Sequence, residues 1–565
     1  MMSRIFIAAA VCAAAFGVPT SLLGEISVKA EFGIDGEFFS PWLKMVRERR
    51  PLWLEKAERE KPKLHRREVR PVRTVATAAD PAAFQGWKMV PAGTLDEICN
   101  RPLSAGDEVV FDFGEHLVGY LSLDLVNFDR AVDAPVRLEL SFAEMPCELA
   151  EDPSVTSPTV SSAWYQNEVV TIDDLPVVYN LPRRYAFRYV KMKVAGCSPH
   201  GRFGLGGMSV SAVTSADESR LSTWEAPSEK AAQIDRIARC TLRDCMQTVL
   251  EDGPKRDRRL WLGDLRLEAL ANYETYRNFG VVKRSMYLLA GTCGDNGLVN
   301  SDAYERPVPR SGDCRILDYT ALFAATVLEY LEASGDMETA LDLWPLCVKQ
   351  LDFTLGTVGA DGVFRDDKTW WCFIDWQKNL DRQTAEQGVI IYGLKSTLKL
   401  AEKLGRVSDV AFLPALTAKM ERAARSVLWD ESRGLFVCEK SRQPSFLGQA
   451  WLVLAGVPDR PDAQRCLKRA MSDRDAVRPV TPYANHYFTE ALYAAGLKEE
   501  GDAHLLSYWG KMADYGADTF WEVFVPENHH AGPYRTHLMN SYCHAWSCAP
   551  SYFLRNAKFN ALSGK

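Results

Sequence analysis

Residues 234–249 read IDRIARCTLRDCMQTV. Ile234, Ala238, Leu242, Cys245 and Val249 fall on one stripe of a helix, which the sequence starts after Pro227-Ser228 and stops at Asp252-Gly253-Pro254. On the N-terminal side of this stretch the period is two. Val136, Leu138, Leu140 and Phe142 alternate with Arg137, Glu139 and Ser141, and Leu121, Leu123 and Leu125 alternate with Ser122 and Asp124. One face of such a segment meets a core and the other meets water, as in an antiparallel sandwich. Tyr185 to Val194 continues the pattern with a phase slip that fits a bulge. On the C-terminal side helical stretches recur at 265–290, 317–333, 338–357, 385–404, 409–428, 443–456, 461–472, 484–496, 499–514 and 538–555, about eleven in all. A solenoid of helix pairs would show a sequence repeat of roughly 30–50 residues. None is visible, so the helices are expected to close into an α/α toroid.

The composition narrows the function classes. The chain has 565 residues, 47% hydrophobic and 25% charged, which excludes an intrinsically disordered protein and leaves room for two or three domains. A net charge of −7 without a long Lys/Arg block argues against nucleic-acid or anionic-membrane partners. Arg4 followed by the apolar run Ile5 to Val18 reads as an export leader, too short to span a bilayer, and no later stretch is long enough. Cys12 lacks a lipoprotein context. Residues 1–24 are therefore taken as a leader, with cleavage as late as 30 at Val28-Lys29-Ala30, and a periplasmic or secreted protein is expected. Thirteen of the 14 cysteines lie beyond the leader, scattered and without paired C-x-x-C spacing, so most are expected to be buried thiols, with room for one or two disulfides. Residues 31–70 are rich in Lys and Arg around Trp42 and Trp53. Polyanion binding is one reading, and an amphipathic strap lying across the two domains is the preferred one.

No Walker loop, dinucleotide fingerprint, H-E-x-x-H or G-x-S-x-G is present. Three clusters remain. Asp252-Gly253-Pro254-Lys255-Arg256-Asp257-Arg258-Arg259-Leu260-Trp261-Leu262-Gly263-Asp264 lies between two helices. Carboxylates among Arg and Trp suit sugar recognition, although Asp264 as a helix cap and Arg256–Asp257 as a surface ion pair would explain them too. Thr369 to Trp376 packs Trp370, Trp371, Phe373 and Trp376 around Asp375, again as core or as binding loop. Asp518 to Phe524 places Glu522 in an apolar run, where a charge is costly to bury without a purpose. His529, His530, His537 and His544 follow, but their spacing matches no standard ligand pattern, so no metal and no cofactor are expected.

The segment Asp252 to Asp264 resembles the signature of the bacterial α-L-rhamnosidases, glycoside hydrolase family 78. Phe111-Asp112-Phe113-Gly114-Glu115-His116-Leu117-Val118-Gly119-Tyr120 looks like that family's preceding β-sandwich. Thr519-Phe520-Trp521-Glu522 resembles its T-x-W-E element, and Asn540-Ser541-Tyr542-Cys543-His544-Ala545-Trp546 its final helix entry. These matches keep their order from about residue 100 to 556. The resemblance implies an antiparallel β-sandwich (71–218) followed by an (α/α)6 catalytic barrel (219–565), and inverting cleavage of terminal α-L-rhamnosides. It implies Glu522 as general base and Asp257 as general acid. Asp252, Arg256, Trp261, Asp264, Trp376 and His544 would line the sugar subsite, with Trp371, Asp375 and Trp521 added from the aromatic clusters. The chain departs from the family in having Asp257 where Glu is usual, Gly253 where Cys is usual, and no β-domain after the barrel.

Two other readings stay open at this level: a carbohydrate-binding protein that kept the pocket after losing the acid, and a six-hairpin glycosidase of different sugar specificity. The strap and sandwich contribute no carboxylate-aromatic cluster and are expected to pack onto the barrel as support. The one partner implied is a carbohydrate substrate; a homo-oligomer stays open.

Overall fold

The computed structural model describes residues 27–559; the leader 1–24 lies outside the described residues. Its main helices are α1 (Gly36–Arg59), α2 (Glu229–Cys245), α3 (Leu262–Glu274), α4 (Phe279–Gly291), α5 (Leu317–Ser334), α6 (Met337–Leu355), α7 (Gln383–Leu404), α8 (Leu413–Ala423), α9 (Phe446–Leu454), α10 (Arg460–Ser472), α11 (Pro482–Ala494), α12 (Lys498–Leu505) and α13 (Ala549–Arg555). From α2 onward they form two concentric rings. The inner ring is α3, α5, α7, α9, α11 and α13, and it closes where α13 packs on α3 and on α2. Inner helices are enclosed on every side, so every residue of α3 from Leu262 to Tyr273 is buried, the polar Asp264, Arg266, Glu268 and Asn272 included. Outer helices such as α10 bury one stripe, Ala463, Cys466, Leu467 and Ala470, and present the rest to water.

Three boundaries differ from the sequence reading. Helix α2 ends at Cys245, before Asp252-Gly253-Pro254, and Val249 is buried in the turn that follows. The expected 265–290 helix is two, because Arg277 takes φ +54° and the Asn278 side chain accepts from Val281 N to start α4. Of 538–555 only Ala549–Arg555 is α-helical. Among the described residues the two rings therefore hold twelve main helices, α2 to α13, with the short helical turn Lys511–Asp514 following α12.

Among the described residues nine strands precede the barrel: β1 (His65–Val69), β2 (Arg73–Ala79), β3 (Trp87–Gly93), β4 (Glu108–Asn127), β5 (Val136–Ala143), β6 (Asn167–Ile172), β7 (Val177–Asn180), β8 (Tyr185–Gly196) and β9 (Phe203–Thr214). All pairings are antiparallel, and β4 organises them. Its first half pairs with β2 and β8, its second half with β9 and β7. Val109, Phe111, Phe113, Leu121, Leu123 and Leu125 of β4 share one core with the alternating residues Val136, Leu138, Leu140 and Phe142 of β5. The register slips where Asp112 pairs with Tyr189 and Leu117 with Phe187, so the extra residues of the bulge belong to β4. That bulge turns His116 out of the sheet toward the barrel.

The basic segment is mainly one helix. Asp35 caps α1, which buries Phe39, Val46, Trp53 and Ala57 against α4 and α6 of the outer ring. Its cations meet barrel carboxylates: Arg50 and Asp295 at 2.7 Å, Lys56 and Asp342 at 2.7 Å. Residues 65–69, counted with the strap in the sequence reading, form β1 at the edge of the sheet beside β9.

Candidate active site

The inner helices direct their N-terminal ends to one rim, and long loops precede them. The loop 252–259 closes on itself: Asp252 N donates to Arg259 O (3.0 Å), and Arg259 N donates to Asp252 Oδ1 (3.2 Å). The closure needs glycine at 253, since a Cβ there would lie 2.7 Å from the Arg256 carbonyl oxygen. Helix α3 then starts with Asp264 in its first turn, and Gly263 lets the Tyr319 ring of α5 lie against it.

Glu522 is buried beside this loop. Arg256 Nη2 donates to both of its oxygens (2.8 and 2.9 Å), Tyr534 OH to Oε1 (2.5 Å) and Ser541 N to Oε2 (2.9 Å). Burial pushes the carboxyl up, but the Arg256 guanidinium and these donors outweigh it and hold Glu522 below the usual glutamate range. Tyr534 is pushed the other way, by burial and by Glu522, so it remains a hydroxyl donor. The same guanidinium reaches Asp257 Oδ1 through Nη1 at 3.3 Å and lies 4.1 Å from the Tyr534 ring centroid. Asp257 also meets Arg259 at 3.4 Å, while Arg258, with φ +61°, turns away and donates to Arg184 O and Gln166 Oε1. The Asp257 side chain is 16% exposed and on the cavity wall.

The cavity measures about 330 Å³. Asp252, Arg256, Asp257, Trp261, Asp264, Trp371, Trp376, Glu522 and His544 all line it. Asp252 and Asp264 are pushed well above the usual aspartate range, each first by burial and then by neighbouring carboxylates: Asp257 for Asp252, Glu522 for Asp264. Burial lowers His544 to about 3, so its imidazole is neutral. His544 Nδ1 lies 3.5 Å from Asp264 Oδ1, and among the described residues neither atom has a hydrogen-bond partner, nor do Trp261 Nε1 and Trp376 Nε1. Aromatic faces beside unfilled donors and acceptors suit a ring that carries hydroxyls on apolar carbons.

Two sequence assignments need correction. Asp375 does not face the cavity: it accepts from Val480 N, Thr481 N and Thr481 Oγ1, fixing the residue that caps α11. Trp521 points away from Glu522 and stacks on Phe84 at 4.1 Å, because neighbouring side chains of this loop leave on opposite sides. The sandwich is also more than a support, since Val160 and Trp164 complete the cavity wall and Thr159 N donates to Tyr534 O (3.2 Å). Tyr534 itself was missed. It lies in a polar loop with no motif around it, and only its position 12 residues after Glu522 in the same loop could have drawn attention to it.

The sandwich also holds the loop 252–259 and the loop that carries Glu522 from behind. His116 bridges Asp244 Oδ2 (2.7 Å) and Glu144 Oε1 (3.1 Å), and Glu144 Oε2 accepts from Tyr542 N (2.6 Å). Lys255 pairs with Glu148 and donates to Asn540 O (2.8 Å). Among the described residues the thirteen cysteines are free; Cys245 and Cys543 place their sulfurs 4.0 Å apart.

Residues 71–212 match the glycosyl hydrolase family 78 alpha-rhamnosidase N-terminal domain, and residues 219–557 match the bacterial alpha-L-rhamnosidase 6 hairpin glycosidase domain. A rhamnosidase from Klebsiella oxytoca, solved with rhamnose bound, is 40% identical, with a TM-score of 0.87 over 89% of this chain and 98% of that one. The family 78 rhamnosidase of Bacillus sp. GL1 shares the fold at 22% identity and a TM-score of 0.68, over 83% of this chain and 49% of that one. The α-L-rhamnosidase of Streptomyces avermitilis does so at 16% and 0.62, over 87% and 44%. Comparison with curated protein sequences gives no match. A β-domain and a six-hairpin barrel matched in order over most of the chain, with a carboxylate and aromatic cavity between them, place this protein among the glycoside hydrolases: it belongs to family 78, the bacterial α-L-rhamnosidases.

Proposed function

We propose that the enzyme hydrolyses terminal α-L-rhamnosides, or those of a related deoxyhexose, with inversion at the anomeric carbon. The observation that carries this reading is the single Arg256 guanidinium shared by Glu522 and Asp257. Glu522, kept ionised, takes a proton from the attacking water. Asp257 gives a proton to the departing glycosidic oxygen on the opposite side. One guanidinium in contact with both acids keeps their separation within the roughly 9.5 Å upper limit of inverting pairs. Asp257, 16% exposed against 2% for Glu522, is the acid open to solvent, where a leaving group can depart. Asp264, His544, Trp261 and Trp376 bind the ring hydroxyls, while Trp371, 39% exposed, reaches the aglycone. Two carboxylates and a water suffice for this chemistry.

Export follows from the leader. Val28 is fully buried and Lys29 pairs with Asp352 at 2.7 Å, which favours cleavage near Gly24 over a cut after Ala30. The test of the enzymatic reading is hydrolysis of a panel of nitrophenyl glycosides with the product anomer followed by NMR from the first turnover. Release of β-L-rhamnose from the α-rhamnoside is expected; α-L-rhamnose as the first product, or no release of rhamnose or a related deoxyhexose from any glycoside of the panel, would overturn it.

A further inference from the structure

His530 and His537 stand seven residues apart and match no ligand spacing, because the third member of their group is far away in the chain. Glu151, just after β5, meets His537 Nε2 through Oε1 at 3.2 Å, and the His530 ring lies 4.6 Å from the His537 ring at 85°. One ligand atom from each of Glu151, His530 and His537 lies within 4.8 Å of the other two. A tetrahedral ion with arms of about 2.0–2.1 Å separates its ligand atoms by about 3.3 Å, close to the Glu151–His537 contact. Two imidazoles and a carboxylate, with His530 exposed, leave a fourth position open to solvent. Trp87 Nε1 donates to Glu151 Oε1 (3.1 Å), the kind of outer partner that orients a ligating carboxylate. The other such group among the described residues, His116, Asp244 and Cys543, is fully buried, and its imidazole is already hydrogen-bonded through both nitrogens.

The geometry points to a binding site for a divalent transition ion, Zn²⁺ or its imidazole-seeking neighbours, formed by Glu151, His530 and His537. The ion would brace the sandwich against the loop that carries Tyr534, and so against Glu522.

The test is calorimetric titration of the untagged full chain with Zn²⁺, repeated with Co²⁺ and read by its visible ligand-field bands. One ion per chain is expected. His530→Ala, a change at an exposed side chain, should weaken binding by more than the roughly 10–100-fold expected for the outer-partner change Trp87→Phe, and should abolish the Co²⁺ bands. His200→Ala, at a remote exposed histidine, should bind as the parent does. No uptake by the parent chain, or uptake unchanged in His530→Ala, would overturn the site.

Discussion

Both carboxylate oxygens of Glu522 rest on one nitrogen of Arg256, at 2.8 and 2.9 Å. Its second nitrogen reaches Asp257 at 3.3 Å. The cation thus holds one acid ionised and fixes where the other stands.

Glu522→Gln keeps the volume and the Tyr534 contact but removes the proposed base. Turnover should fall by roughly 10²–10⁴-fold in a protein that still folds, with a thermal midpoint lowered by the loss of the buried ion pair to Arg256. Near-normal turnover would assign Glu522 to structure alone.

Asp257→Asn tests the acid. Loss should be large on alkyl rhamnosides, roughly 10²–10⁴-fold, and much smaller on nitrophenyl rhamnosides, whose leaving group needs little protonation. Equal losses on both substrates would argue that Asp257 positions Arg256 and Arg259 instead of donating a proton.

The acid limb of the kcat/KM profile should report Glu522. Because folding lowers its pKa, activity should persist below the ordinary glutamate range as pH falls. The stability it contributes is present above the unfolded glutamate pKa and is lost as pH falls through the folded value. Tyr534→Phe removes one donor to the ionised form, so the acid limb should move to higher pH. A limb that stays put or moves down contradicts the assignment.

Lys255→Met removes the cation between Glu148 and the Asn540 carbonyl and leaves a buried carboxylate unpaired. Urea unfolding should show a loss of about 3–5 kcal/mol, and activity should drop because the loop 252–259 and the loop that carries Glu522 lose a shared support. A loss under about 1 kcal/mol would mean that the sandwich is not what holds them.

The alternation at Val136–Phe142 and the helical stripe at Ile234–Cys245 settled by themselves which part of the chain is sheet and which is ring, because each period commits a whole face to burial. Asp252, Arg256, Asp257 and Asp264 were legible because one short loop carries them all. Asp375 and Trp521 could not be placed that way. Composition attracts attention to a buried acid or indole, but only tertiary packing decides whether it faces the cavity or the scaffold behind it. The same limit hid Tyr534, the wall supplied by Val160 and Trp164, and the pairing of Glu151 with His537 across 386 residues. Local periodicity records which face of an element is buried; contacts between distant elements leave no period in a single sequence.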